Sequence, residues 1–160
     1  MMQFREYLEM LTESGVEFIV IGGAAATAHG SPRFTQDVDI VYRRSPENIA
    51  RIASALAPYK PYLRGAPPGL PFVWDERTIQ RGLNFTLTTT LGDADFLGEV
   101  AGGGTYESLL PYAELLKPWG VDCHCVRLDK LIALKRAAGR PKDIEAIAEL
   151  EAILEERENT

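Results

Sequence analysis

Apolar side chains recur at helical spacing near the N-terminus. Phe4, Tyr7, Leu8, Met10 and Leu11 are interleaved with Glu6, Glu9 and Glu13, which predicts an amphipathic helix over 3–13. Gly15 is a natural stop for it. The stretch Val16-Glu17-Phe18-Ile19-Val20-Ile21, rich in β-branched residues, predicts a buried strand. Gly22 and Gly23 end that strand, a short alanine-rich helix is expected over 24–29, and Gly30-Ser31-Pro32 terminates it. Residues 37–42 predict a second strand. Ser45-Pro46-Glu47 has the cap, the proline and the acid of a helix start, and Ile49, Ile52, Ala53 and Leu56 continue that helix on one face.

Prolines at 58, 61, 67, 68 and 71, with Gly65 and Gly69, predict an irregular loop over 58–71. Residues 84–90 and 94–100 predict a hairpin turning at Gly92-Asp93. Residues 101–104 read as a flexible connector, 106–110 as one helical turn, and 113–116 and 121–126 as short strands. A helix from Leu128 ends at Gly139, and Pro141 starts another that carries Ile144, Ile147, Leu150, Ile153 and Leu154. This order predicts an α/β fold with a mixed sheet.

Composition narrows the class. The chain has 160 residues, 46% of them hydrophobic and 25% charged, which excludes wholesale disorder and is enough for a core without metal or disulfide. One domain is expected over 1–160, with 128–158 as a C-terminal helical segment packed on it. No apolar run approaches the roughly 20 residues of a membrane span. Acids stand near the N-terminus where a secretory signal would be apolar, so a cytoplasmic protein with no membrane partner is expected. The formal net charge of −6 leaves no global field for sequence-independent nucleic-acid binding. Cys123 and Cys125 would share a strand face with poor geometry for bridging, in keeping with a reducing compartment.

The chemistry concentrates in Gly22-Gly23 and Asp37-Val38-Asp39. Two aspartates two apart on a strand share one face, while Val38 and Ile40 take the other. Like charges so close are best tolerated with a cation between them, and hard oxygen ligands suit magnesium. A glycine pair between strand and helix lets a phosphate approach the backbone amides. Together they outline a nucleoside-triphosphate site. The chain has neither a P-loop nor a dinucleotide fingerprint.

The stretch from Ile21-Gly22-Gly23 through His29-Gly30-Ser31-Pro32-Arg33-Phe34-Thr35-Gln36-Asp37-Val38-Asp39-Ile40 resembles the signature of small nucleotidyltransferases with the DNA-polymerase-β fold. That superfamily includes antibiotic nucleotidyltransferases and the nucleotidyltransferase members of bacterial toxin–antitoxin pairs, of the abortive-infection and minimal-nucleotidyltransferase types. Gly92-Asp93-Ala94-Asp95-Phe96-Leu97 resembles the strand bearing the family's third carboxylate, and the segment from Leu131 to Asp143 resembles the helix pair of the toxin–antitoxin branch, to which the likeness is closest.

The resemblance implies a nucleotidyltransferase fold with flanking helices and a C-terminal helix pair. It implies Asp37, Asp39 and Asp95 as catalytic acids and metal ligands for two Mg2+ ions, with Mn2+ as a substitute. Asp95 would also draw the proton from the acceptor hydroxyl. It implies Gly22, Gly23, Arg33, Lys135, Arg140 and Lys142 as the nucleotide-binding set. One departure is that much of the superfamily has Gly-Ser where this chain has Gly22-Gly23. Asp93 is a rival for Asp95. Asp95 is preferred because Phe96-Leu97 continue it as strand, whereas Asp93 follows Gly92 and reads as a turn residue.

Other candidates have plainer readings. His124 would point away from Cys123 and Cys125 on a strand, with no second ligand pair, so the trio reads as buried thiols beside an exposed histidine. His29 reads as a helix-end residue satisfied by local backbone, Trp74 and Trp119 as packing, and the glutamates at 149, 151, 155, 156 and 158 as a solvated face. The implied reaction moves a nucleoside monophosphate from an NTP to a hydroxyl of a partner protein, a tRNA end or a small molecule. A protein acceptor fits a cognate toxin or antitoxin partner. Two further readings stay open: a non-catalytic, antitoxin-like binding module, and an antibiotic-modifying nucleotidyltransferase.

Overall fold

The computed structural model describes residues 2–159. In chain order the elements are α1 (Phe4–Glu13), β1 (Phe18–Ile21), α2 (Gly22–Ala28), β2 (Asp37–Tyr42), α3 (Pro46–Leu56), β3 (Tyr62–Leu63), α4 (Glu76–Arg81), β4 (Asn84–Thr89), β5 (Gly92–Leu97), α5 (Tyr106–Leu109), β6 (Ala113–Leu116), β7 (Cys123–Val126), α6 (Leu128–Ala138) and α7 (Pro141–Glu158). The strands form one seven-stranded sheet in the order β3-β4-β5-β2-β1-β7-β6. β2 runs parallel to β5, and β1 runs parallel to β7; the other neighbours are antiparallel. This is the mixed α/β sheet expected, with flanking helices and a C-terminal helix pair.

The alternation along β2 decides which way its chemistry faces. Val38 and Ile40 are fully buried with Tyr7, Leu8, Leu11, Leu87 and Phe96, while Asp37 and Asp39 lie half-buried on the opposite face. Leu128, Leu131, Ile132 and Leu134 of α6 are buried, as are Ala146 and Leu150 of α7. Gly139, at φ 64°, turns the chain between the two helices. No helix among the described residues is long and apolar enough to cross a membrane.

Several expectations need correction. α2 begins at Gly22, so the glycine pair forms its first turn instead of preceding it. The hairpin turns two residues earlier than expected: Thr89 pairs with Gly92, leaving Thr90 and Leu91 as the turn. The Thr89 hydroxyl closes that turn, donating to the Gly92 carbonyl at 2.8 Å and accepting from the Leu91 amide at 3.1 Å. Asp93 is therefore a strand residue, not a turn residue. The loop over 58–71 contains β3, which adds an edge strand to β4. α4 was not anticipated, although Asp75 caps it by accepting from the Thr78 amide. His29 is satisfied by distant groups: its Nε2 donates to the Val126 carbonyl at 2.8 Å and its Nδ1 accepts from Arg157. Trp119 stacks on Phe4 and Trp74 packs on Phe85 and Phe96, as packing residues should. Cys123 and Cys125 are buried and His124 between them is exposed.

Candidate active site

Two strands with the same Asp-x-Asp pattern lie side by side in parallel. Their register places Asp37 opposite Asp93 and Asp39 opposite Asp95, so four carboxylates stand in two rungs on one face. Asp37, Asp39 and Asp95 converge further: each offers a carboxylate oxygen, and these oxygens lie within 4.8 Å of one another. Asp39 is the innermost. Its Oδ1 is buried with no hydrogen-bond partner among the described residues. Burial, then repulsion from Asp37 and Asp95, pushes its carboxyl up to about 8. Asp37 is also raised, by burial first and by Asp95 second.

The space for Asp39 comes from Gly22. A Cβ on Gly22 would sit 2.3 Å from Asp39 Oδ2, and the residue has φ 62°. Gly23 makes room for a different group, since its Cβ would lie 2.5 Å from the Thr35 hydroxyl. The glycine pair thus admits a carboxylate and a hydroxyl of the protein itself, while both residues also line a cavity of about 300 Å³.

Cations wall the far side of that cavity. Arg33, Lys135, Arg140 and Lys142 all line it, together with Asp37 and Asp39. Most of them already have acidic partners. Arg140 grips Asp143 with Nε to Oδ2 at 2.8 Å and Nη2 to Oδ1 at 3.2 Å, and Lys135 Nζ lies 3.8 Å from the same carboxylate. Burial alone would raise the Asp143 carboxyl, but its hydrogen bonds to Arg140 and the nearby positive charges outweigh that and hold it low. Burial lowers the Lys135 ammonium. Arg33 reaches over to α7, where it pairs with Glu149 and with Glu145. Lys142 is exposed, and its charge is felt at Asp37. Phe34, 87% exposed, stands between this cavity and a second hollow of about 320 Å³ that includes Met2, Gln36, Gly92 and Asp93.

Three participants escaped the sequence reading. Arg64, just after β3, lies across the acid cluster. Its Nη2 donates to Asp95 Oδ1 at 2.9 Å, its Nη1 lies 3.5 Å from Asp37 Oδ2, and its Nε lies 3.4 Å from Asp93 Oδ2. Nothing in the local sequence marks it, because the contact depends on the β3–β4 pairing. Thr35 had a signal, being two residues before Asp37. Asp143 had one too, as the acid at the third position of α7, where it accepts from the Arg140 amide.

No family model matches the chain, and no curated protein matches it. A solved structure does. The crystal structure of "a putative nucleotidyltransferase" from Thermotoga maritima matches 96% of this chain and 91% of its own, with a TM-score of 0.55 and 15% identity. The chain has a nucleotidyltransferase-like fold. At that identity the likeness is one of fold, and the face that carries the acids is the chain's own evidence for chemistry.

Proposed function

We propose that this protein is a magnesium-dependent nucleotidyltransferase that moves a nucleoside monophosphate from an NTP to a hydroxyl acceptor, forming a phosphate ester at that hydroxyl and releasing pyrophosphate. The observation that carries the reading is the convergence of Asp37, Asp39 and Asp95 beside a cavity walled by cations. The donor set fits a hard divalent ion: three carboxylates meet, and the enclosed Asp39 Oδ1 has no hydrogen-bond partner among the described residues. Magnesium held by these three acids would supply charge stabilisation for the leaving and attacking oxygens, with manganese as its substitute. Lys135, Arg140, Lys142 and Arg33 hold the triphosphate by charge and hydrogen bonds. Gly22 and Gly23 line the cavity that would take the triphosphate, and make room there for the Asp39 carboxylate and the Thr35 hydroxyl. Asp95 accepts the proton of the acceptor hydroxyl, a role that asks for a rigid strand position. Asp93 is the alternative for that role, since it too is on β5.

The hollow beyond Phe34 is the place for the acceptor, whether a protein side chain, a tRNA end or a small molecule. A cognate toxin or antitoxin, a cytoplasmic setting, and one domain working as a unit with its 128–158 helices complete the proposal. One observation favours the non-catalytic binding module: Arg64 already pairs with three of the acids.

Calorimetric titration with each of ATP, GTP, CTP and UTP, in the presence of magnesium or manganese, separates the two. The enzyme reading expects metal-dependent nucleotide binding by the wild type, lost in Asp39→Asn, and transfer of label from an α-labelled NTP. Absence of binding with every nucleotide and both metals sinks it.

A further inference from the structure

We propose that Arg64 is the resident counter-cation of the acid cluster, and that it competes with the divalent ion for the same carboxylates. This rests on the reading that Asp37, Asp39 and Asp95 take a metal.

The guanidinium arrives from the sheet edge. The Arg64 amide donates to the Thr86 carbonyl at 3.0 Å, and Nη2 donates to the Leu87 carbonyl at 3.1 Å. From that anchorage the head group reaches Asp37, Asp93 and Asp95. Asp37 Oδ2 and Asp95 Oδ1 belong to carboxylates of the converging trio, so arginine and metal call on the same groups. A guanidinium fork matches carboxylates well, and in a metal-free protein it relieves part of their mutual repulsion. A divalent ion a few ångströms away would be repelled by it.

The hold is incomplete in a telling way. Among the described residues Arg64 Nε is buried without a hydrogen bond, and its approach to Asp93 is an ion pair only. The head group pairs with Asp37, Asp93 and Asp95, and Asp39 Oδ1 is left without a hydrogen-bond partner among the described residues. Arg64 thus balances the outer carboxylates and does not complete the site. When a metal enters, the head group must withdraw from Asp37 and Asp95, and Asp93, outside the converging trio, is the acid on which it stays. Asp93 is then a parking place for the arginine, which gives the fourth aspartate a purpose separate from metal ligation.

Titration of wild type, Arg64→Gln and Arg64→Lys with magnesium alone and manganese alone tests this. Binding is followed by calorimetry, and melting temperature is measured in chelator and in saturating metal. Arg64→Gln is expected to melt lower in chelator, to bind either metal roughly tenfold more tightly, and to regain most of the lost melting temperature when saturated. Arg64→Lys, which keeps a charge and loses the fork, falls between. Equal or weaker metal binding by folded Arg64→Gln overturns the competition while leaving the metal site standing. No metal uptake by wild type or variants overturns both readings. Should Arg64→Gln fail to fold, the side-chain Nε–H signal of Arg64 in wild-type protein decides: it is expected to shift on metal saturation, and an unmoved signal overturns the proposal.

Discussion

The two walls of the cavity handle charge in opposite ways. On the β2–β5 face, four aspartates share one arginine that reaches three of them, and the innermost carboxyl is forced toward its neutral form. On the α6–α7 side, Arg140, Lys135 and Arg33 each have an acid in place, and Asp143 is held ionised. One wall stores repulsion; the other is internally balanced. Groups that merely stabilise a fold tend toward the second arrangement, whereas like charge crowded on rigid strands and only partly offset by one arginine is an arrangement that a bound cation would relieve.

The strongest way to break this contrast is Asp39→Asn. It should remove nucleotide transfer to background while raising the metal-free melting temperature by several degrees, because the residue costs stability in the absence of a cation. The sign has a pH signature. The folded protein holds a proton on Asp39 up to about 8, whereas an unfolded aspartate releases it near about 4. With respect to Asp39, stability is therefore highest below about 4, where the carboxyl is protonated in both states, and the cost of Asp39 grows as pH rises toward about 8. Melting curves in chelator across this window should fall for wild type and flatten for Asp39→Asn. Metal affinity should rise over the same range, since the ion displaces the proton.

A smaller effect is expected on the balanced wall. Asp143→Asn removes the partner of Arg140 and Lys135, costing about 1–3 kcal/mol of stability. Here the linkage runs the other way: the Asp143 carboxyl is lowered in the folded state, so its contribution is present above about 4 and is lost as pH falls through the folded value. The variant should flatten the acid limb of the stability curve. It should leave magnesium affinity unchanged and weaken nucleotide binding by misplacing two cations. A loss of magnesium binding in Asp143→Asn would mean that the walls do not act separately.

The smallest effect belongs to Asp93→Asn. Its carboxylate is partly exposed and shares a single ion pair, so stability should change by no more than about 1 kcal/mol. Transfer rates near wild type would leave Asp95 as the proton acceptor. A dead Asp93→Asn beside an active Asp95→Asn would reassign that role.

Much of this was legible in the chain because it depends on local alternation. Asp37 and Asp39 could be placed on one face by the two-residue period alone, and β2 spans the residues that the pattern indicated. The helix pair was equally readable from Gly139 and Pro141. Failures arose where a distant or side-chain contact decided the outcome. Gly92-Asp93 has turn composition, yet the Thr89 hydroxyl closed the turn earlier and moved Asp93 into the sheet. Arg64 sits among prolines and glycines, and only the pairing of Tyr62 with Thr88 and Leu63 with Leu87 aims it at the acids. The partners of Arg33 were similarly invisible, more than a hundred residues away on α7.

The glycine at position 22 ties two distant parts of the gene together. Since Asp39 Oδ2 fills the space a side chain would need there, a substitution at 22 is harmful while the aspartate remains, and left-handed backbone at that point adds a second obstacle. The obstacle is one-sided: a larger residue at 22 must displace the Asp39 carboxylate, whereas a smaller residue at 39 leaves Gly22 undisturbed, so the acid's place in the cavity floor depends on the glycine and not the reverse.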